Sequence, residues 1–120
     1  MLEGLWTLEF RSSIGNTGYG TVTFDGKKAR GGTAGYYYVG DYHVEGNTLN
    51  AALRVHRFNG GPVSVFGPLE AFELQLSGTV SEPKMVVSGR LVDHPALKIA
   101  IICTKREEHQ TGDGKSALPG

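Results

Sequence analysis

Tyr36-Tyr37-Tyr38-Val39-Gly40-Asp41-Tyr42-His43-Val44-Glu45-Gly46-Asn47-Thr48-Leu49-Asn50-Ala51-Ala52-Leu53-Arg54-Val55-His56 is the stretch that decides the fold. Tyr36, Tyr38, Gly40, Tyr42 and Val44 fall on one face of its first half, and Tyr37, Val39, Asp41 and His43 on the other. Successive side chains of a strand point to opposite faces, so this period of two marks a half-buried β-strand. Gly46-Asn47 reads as a two-residue hairpin loop, and a loop of that length sets the register. Glu45 then pairs with Thr48, which puts Tyr42 beside Ala51, Gly40 beside Leu53 and Tyr38 beside Val55. The inner face of this hairpin is apolar throughout. Its outer face carries Tyr37, Asp41, His43, Asn50, Arg54 and His56, with Asp41 and Arg54 placed diagonally as a surface ion pair.

The same period continues in both directions. Upstream, Trp6, Leu8 and Phe10 alternate with Thr7 and Glu9. After the polar connection Arg11 to Gly18, a second strand runs from Tyr19 to Phe24. Asp25-Gly26 signals a tight turn into a third strand from Lys27 to about Gly31, and Gly31-Gly32-Thr33-Ala34-Gly35 forms a corner. Downstream, Asn59-Gly60-Gly61-Pro62 ends the fifth strand, and Pro62 to Ala71 has no clear period, which suits an excursion across one barrel end. Phe72, Leu74 and Leu76 then alternate with Glu73 and Gln75. Met85 to Leu91 follows the Ser81-Glu82-Pro83 corner, and Leu97 to Thr104 is the last strand. Eight short strands with no amphipathic helical stretch predict an all-β fold, a single antiparallel up-and-down β-barrel whose closure removes exposed edges. The expected barrel domain spans residues 1–106, and the polar, glycine-containing stretch 107–120 is expected to be a flexible tail.

Bulk properties narrow the function. A chain of 120 residues supports one hydrophobic core. Twelve basic and twelve acidic residues cancel, which removes the electrostatic footprint of a nucleic-acid binder. The apolar run Ala96 to Cys103 is far shorter than the roughly 20 residues of a spanning helix, so no membrane partner is expected. Cys103 is the single cysteine and cannot form an internal disulfide, and no secretory leader is evident, so a cytoplasmic location is expected. The 18 glycines sit between alternating apolar segments, as turn and bulge residues do.

No catalytic constellation emerges, and the expectation is a non-enzymatic protein without a cofactor. Gly18-Tyr19-Gly20 has no following helix to cradle a phosphate, and Gly114-Lys115-Ser116 has His109 where a phosphate loop needs glycine. His43 and His56 are set roughly 20 Å apart by the hairpin register, too far to share an ion, and no metal site is expected. Cys103 alternates inward with Ile99 and Ile101, which marks a buried, inert thiol. Trp6, Phe10, Tyr36, Tyr38 and Tyr42 all point inward. They either line a ligand cavity or, the expectation favoured here, fill an eight-stranded barrel, whose interior is just wide enough for side chains or one small ligand. Arg57 falls on the inner face opposite Tyr36, where it anchors a ligand or, in the favoured reading, pins the Asn59-Gly60-Gly61-Pro62 corner through a salt bridge or backbone contact. Leu97, Ile99, Ile101 and Cys103 cover one face of the last strand, yet Ala100 and Ile102 leave the other face apolar too. A partner subunit is the simplest cover, which predicts a homodimer interface at Leu97, Ala100 and Ile102.

Gly4-Leu5-Trp6, Gly18-Tyr19-Gly20, Gly31-Gly32 followed by Tyr38-Val39-Gly40, and Val55-His56-Arg57-Phe58-Asn59 leading into Pro62-Val63-Ser64-Val65-Phe66 form an order of blocks from Gly4 to Thr104. That order resembles the GrlR-like family of small bacterial regulators, typified by a negative regulator of type III secretion genes. The resemblance implies a lipocalin-like barrel that dimerises and sequesters a transcription regulator. The family's founding member contacts its activator through a run of alternating acids, whereas Glu45-Gly46-Asn47-Thr48 has one acid, so that particular partner does not carry over. Two functional expectations result. A regulatory protein acting through protein-protein contact predicts a packed interior and an exposed apolar patch; a barrel binding a small apolar or aromatic ligand predicts an open cavity.

Overall fold

The computed structural model describes residues 2–108. It is a closed antiparallel barrel of eight strands: β1 (Gly4–Ser12), β2 (Thr17–Asp25), β3 (Lys28–Gly32), β4 (Tyr36–Glu45), β5 (Thr48–Arg57), β6 (Ala71–Thr79), β7 (Lys84–Leu91) and β8 (Lys98–Glu108). Each strand pairs with the next, and β8 returns to β1, so the predicted up-and-down order holds around the whole ring. No helix among the described residues is long and apolar enough to cross a membrane.

The β4–β5 hairpin has the register read from its loop, with Glu45 opposite Thr48, Tyr42 opposite Ala51, Gly40 opposite Leu53 and Tyr38 opposite Val55. Gly46 takes φ +63° at the first loop position, a left-handed conformation that matches the strand twist at no steric cost to glycine. The β2–β3 loop repeats this device one residue later than expected. Gly26 (φ +65°) and Lys27 form the loop, while Asp25 ends its strand opposite Lys28. Glycine again takes the first loop position, leaving Asp25 to close the ladder.

Alternation sends the apolar side chains inward. Trp6, Leu8, Val22, Phe24, Tyr38, Tyr42, Leu53, Val55, Leu74, Leu76, Val87 and Ile101 are buried in one core. Charged residues such as Arg30, Asp41, Arg54, Glu73, Lys84 and Arg90 stand exposed on the outer wall, the reverse of the apolar-out pattern of a lipid-facing barrel. Asp41 meets Lys28, directly opposite on β3, instead of the expected Arg54. A facing partner on the neighbouring strand is closer than a diagonal one, and Arg54 acts on Asp41 only as a secondary positive charge.

One end of the barrel is closed by rings. Phe24 packs edge-on against Tyr42 (centroids 4.9 Å apart) and Trp6 (6.2 Å), and the Trp6 indole donates its N–H to the Leu2 carbonyl at 2.8 Å. Strand β8 runs further at this end than expected, since Glu107 and Glu108 pair with Leu5 and Gly4. The barrel therefore takes in the first two residues of the expected tail, and 109–120 lie outside the described residues. The other end is crossed by the segment between Arg57 and Ala71, as its lack of period suggested. There Ser64 and Gly67 form a small bridge that turns Phe66 into the core.

Candidate functional site

The upper half of the barrel is hollow. A cavity of about 340 Å³ extends from Phe24 to the crossing segment, roughly twice the ~150 Å³ of an apolar cavity that holds benzene. It owes its existence to small residues at inward positions. Gly18, Ala29 and Ala51 stand where the alternation calls for large groups. Gly40 comes so close to β5 that an added Cβ would lie 1.9 Å from the Ala52 carbonyl, the tight bend of a strand curling to close a ring.

Leu53, Val55, Leu74, Leu76, Val87, Ile99 and Ile101 form the walls. Val65 and Phe66 form part of the roof, with Phe66 edge-on to Phe72 at 5.7 Å. Thr17 and Tyr19 at the start of β2, Ala34 before β4, and Pro62 and Val63 of the crossing segment combine cavity contact with exposure to solvent, and so mark the mouth. Tyr19 is 71% exposed and Val63 51%. The roof is held by hydrogen bonds. Ser12 Oγ donates to the Val65 carbonyl at 2.8 Å, Asn16 Nδ2 donates to the same oxygen at 3.1 Å, and Tyr36 donates its hydroxyl proton to the Leu69 carbonyl.

The polar groups of the wall are committed elsewhere. Tyr38 donates its hydroxyl to the Thr21 carbonyl at 2.6 Å, with the Gly32 carbonyl at 3.3 Å, and burial holds its proton on well above the ordinary tyrosine range. Burial likewise pushes the Cys103 thiol up to about 12, so the cavity-lining sulfur is a neutral, unreactive group. The lining contains no Asp, Glu, Lys, Arg or His.

Three of the six residues predicted as a ligand site, Phe10, Tyr36 and Tyr38, line the cavity. Trp6 and Tyr42 lie behind Phe24 and build the floor. The rings thus fill only one end, where full packing was expected. Arg57 is opposite Tyr36, as predicted, but its largely buried side chain is directed to the Asn59–Pro62 corner and Glu70 instead of the cavity. Its guanidinium reaches the Glu70 carboxylate at 3.3 Å and the Gly61 carbonyl at 2.9 Å, and its buried Nε has no partner among the described residues. This is the corner-pinning contact, and Arg57 does not line the cavity. The mouth residues Tyr19 and Val63 were missed as site residues. Read as a phosphate motif or as a block of the family resemblance, Gly18-Tyr19-Gly20 points to no cavity mouth, yet two glycines flanking an aromatic ring on a strand end leave space beside it.

Of the predicted interface residues, Ala100 and Ile102 are half-buried on the outer wall, and Ile102 pairs with the exposed Val86. Leu97 packs against the core instead, because it precedes β8 and faces inward in register with Ile99. On the outer wall, His56 stacks on Tyr37 with ring centroids 5.4 Å apart, while His43 pairs with Asn50 further down the hairpin.

No protein-family model matches the chain, and no curated protein matches it. Among solved structures, a redesigned β-barrel superposes with a TM-score of 0.65 over 88% of this chain and 92% of that one, at 17% sequence identity. At that identity the likeness is one of fold alone.

Proposed function

We propose that this chain is a non-enzymatic, lipocalin-like binding protein that takes a small apolar molecule into the upper half of its barrel. The observation that carries this reading is the cavity of about 340 Å³, apolar on every wall and open between Tyr19 and Val63. Its size falls in the usual range for small-molecule sites, and a water-filled cavity with so few free polar groups is unfavourable, which favours an apolar occupant. Phe10, Tyr36 and Tyr38 would contact that occupant, with Trp6 and Tyr42 stiffening the floor beneath it.

A second reading, a GrlR-like homodimeric regulator that sequesters a transcription regulator in the cytoplasm, draws support from the block resemblance and from the apolar strip of Val86, Ala100 and Ile102 on β7 and β8. Native mass spectrometry of protein purified gently from its own host tests both. A retained small-molecule mass that leaves on denaturation is the expected result. A dimer with no retained mass, and no uptake of an added apolar fluorophore, would overturn the ligand reading in favour of the regulator.

A further inference from the structure

Building on the ligand reading, we infer that the cavity selects an apolar chain bearing an uncharged polar head, such as an alcohol, ester or amide, and discriminates against carboxylate and ammonium amphiphiles of the same length. The argument starts from charge. No lining residue carries one, and the segments around the mouth, residues 13–19, 33–35 and 58–66, contain no Asp, Glu, Lys or Arg. This rim is uncharged in a chain in which a fifth of all residues are charged. Of the cations beside the rim, Arg57 bonds to Glu70 and the Gly61 carbonyl and Arg11 to Glu9 at 3.0 Å, while Lys98, next to Ser13, is exposed on the outer wall and does not line the cavity. A carboxylate head drawn in among the lining residues would give up part of its hydration and meet no counter-charge among them, a cost that grows steeply with charge and is smaller for a hydroxyl.

The rim does offer neutral hydrogen-bonding groups. Thr33 Oγ1 accepts from the amides of Gly35 (3.3 Å) and Tyr36 (3.1 Å), which leaves its own proton to donate. The Thr17 and Tyr19 hydroxyls make no hydrogen bond among the described residues. At the floor only Phe24 faces the cavity, since Trp6 and Tyr42 lie behind it and outside the lining, and the indole N–H is bonded to Leu2, so a ligand meets nothing polar there. The ligand therefore enters tail first, with its head among Thr17, Tyr19 and Thr33.

The test uses the full chain loaded with N-phenylnaphthylamine, a neutral apolar fluorophore, and displaces it with decanol, decanoate or decylammonium below their aggregation limits at about pH 8, where the two charged heads are fully ionised. Decanol is expected to displace the probe at a concentration about tenfold or more below either ion. Decanoate should approach decanol as the pH falls toward the carboxylic-acid range of about 4–5, with decanol itself as the control at each pH. Equal displacement by all three would overturn the head-group inference while leaving the cavity reading intact. Tighter binding of decanoate, lost in Arg57→Gln, would overturn it in favour of an arginine-anchored acid. Failure of the probe and of every chain to bind would sink the ligand reading itself.

Discussion

Tyr38 shows how an inward tyrosine is accommodated without filling the cavity. Its hydroxyl passes between two glycines. A Cβ at Gly20 would lie 2.7 Å from the Tyr38 oxygen, and one at Gly31 would lie 2.8 Å from its ring and 2.0 Å from the Thr21 carbonyl. Gly20 and Gly31 therefore form a slot in the β2–β3 wall, and the slot draws the ring against that wall. Tyr38→Phe removes the bond to the Thr21 carbonyl and is expected to cost about 1–2 kcal/mol in urea unfolding. Gly20→Ala should destabilise as well, and by less in the Tyr38→Phe background, because the shortened ring relieves one of its clashes. Strictly additive costs in the double variant would show that the slot does not serve Tyr38. The inward direction of Tyr38 was legible from alternation. The slot was not, because a glycine in a sequence shows that space exists without showing which side chain uses it.

Among the elements, the segment between β5 and β6 is the one whose role follows from contacts instead of period. Its Val65 carbonyl receives two side-chain donors from the β1–β2 turn, Ser12 and Asn16, so the roof is latched to the opposite side of the mouth. Ser12→Ala with Asn16→Ala should loosen the latch. Stopped-flow uptake and release of an apolar fluorophore should both quicken several-fold, with equilibrium affinity changing less, since the apolar walls are untouched. Unchanged rates would mean that the latch does not control entry. Alternation could not read this segment, since a chain crossing a barrel end has no sheet to set its period, and Phe66 turns inward through the Ser64–Gly67 bridge. The hairpins were legible because a two-residue loop leaves one register, and Glu45 opposite Thr48 fixes every pair up to Tyr36 opposite Arg57.

On the scale of the whole molecule, ionisation of buried groups governs stability in alkali. The Cys103 thiol is held at about 12 by burial in the fold against 9.0 in the open chain, and Tyr38 is raised in the same sense. A raised folded value means that the native state keeps its proton where the unfolded state loses it. The stabilisation is complete below about pH 9 and is lost progressively as the pH rises toward 12. The thermal midpoint should therefore fall across that window, and Cys103→Ala should flatten part of the fall; an unaltered slope would mean that the thiol contributes nothing. The ring of eight strands was legible at this scale because every connection but one is short and turn-like. Its hollow half was not, because alternation assigns a face to each residue but sums no volumes, and the missing bulk at Gly18, Ala29 and Ala51 matters only once the ring has closed.

The pairing of β1 with β8 brings Gly4 next to Glu108 at the floor, as far from the mouth as the barrel allows. A ring built this way has no intrinsic starting strand. A short linker from Glu108 to Gly4, with a new opening at the Gly46-Asn47 turn, would give a permuted chain with every native strand pair retained. Gly4 and Glu108 also stand on the side away from Tyr19 and Val63, so a linker joining them can carry an attachment to a sensor surface while the entrance faces the sample.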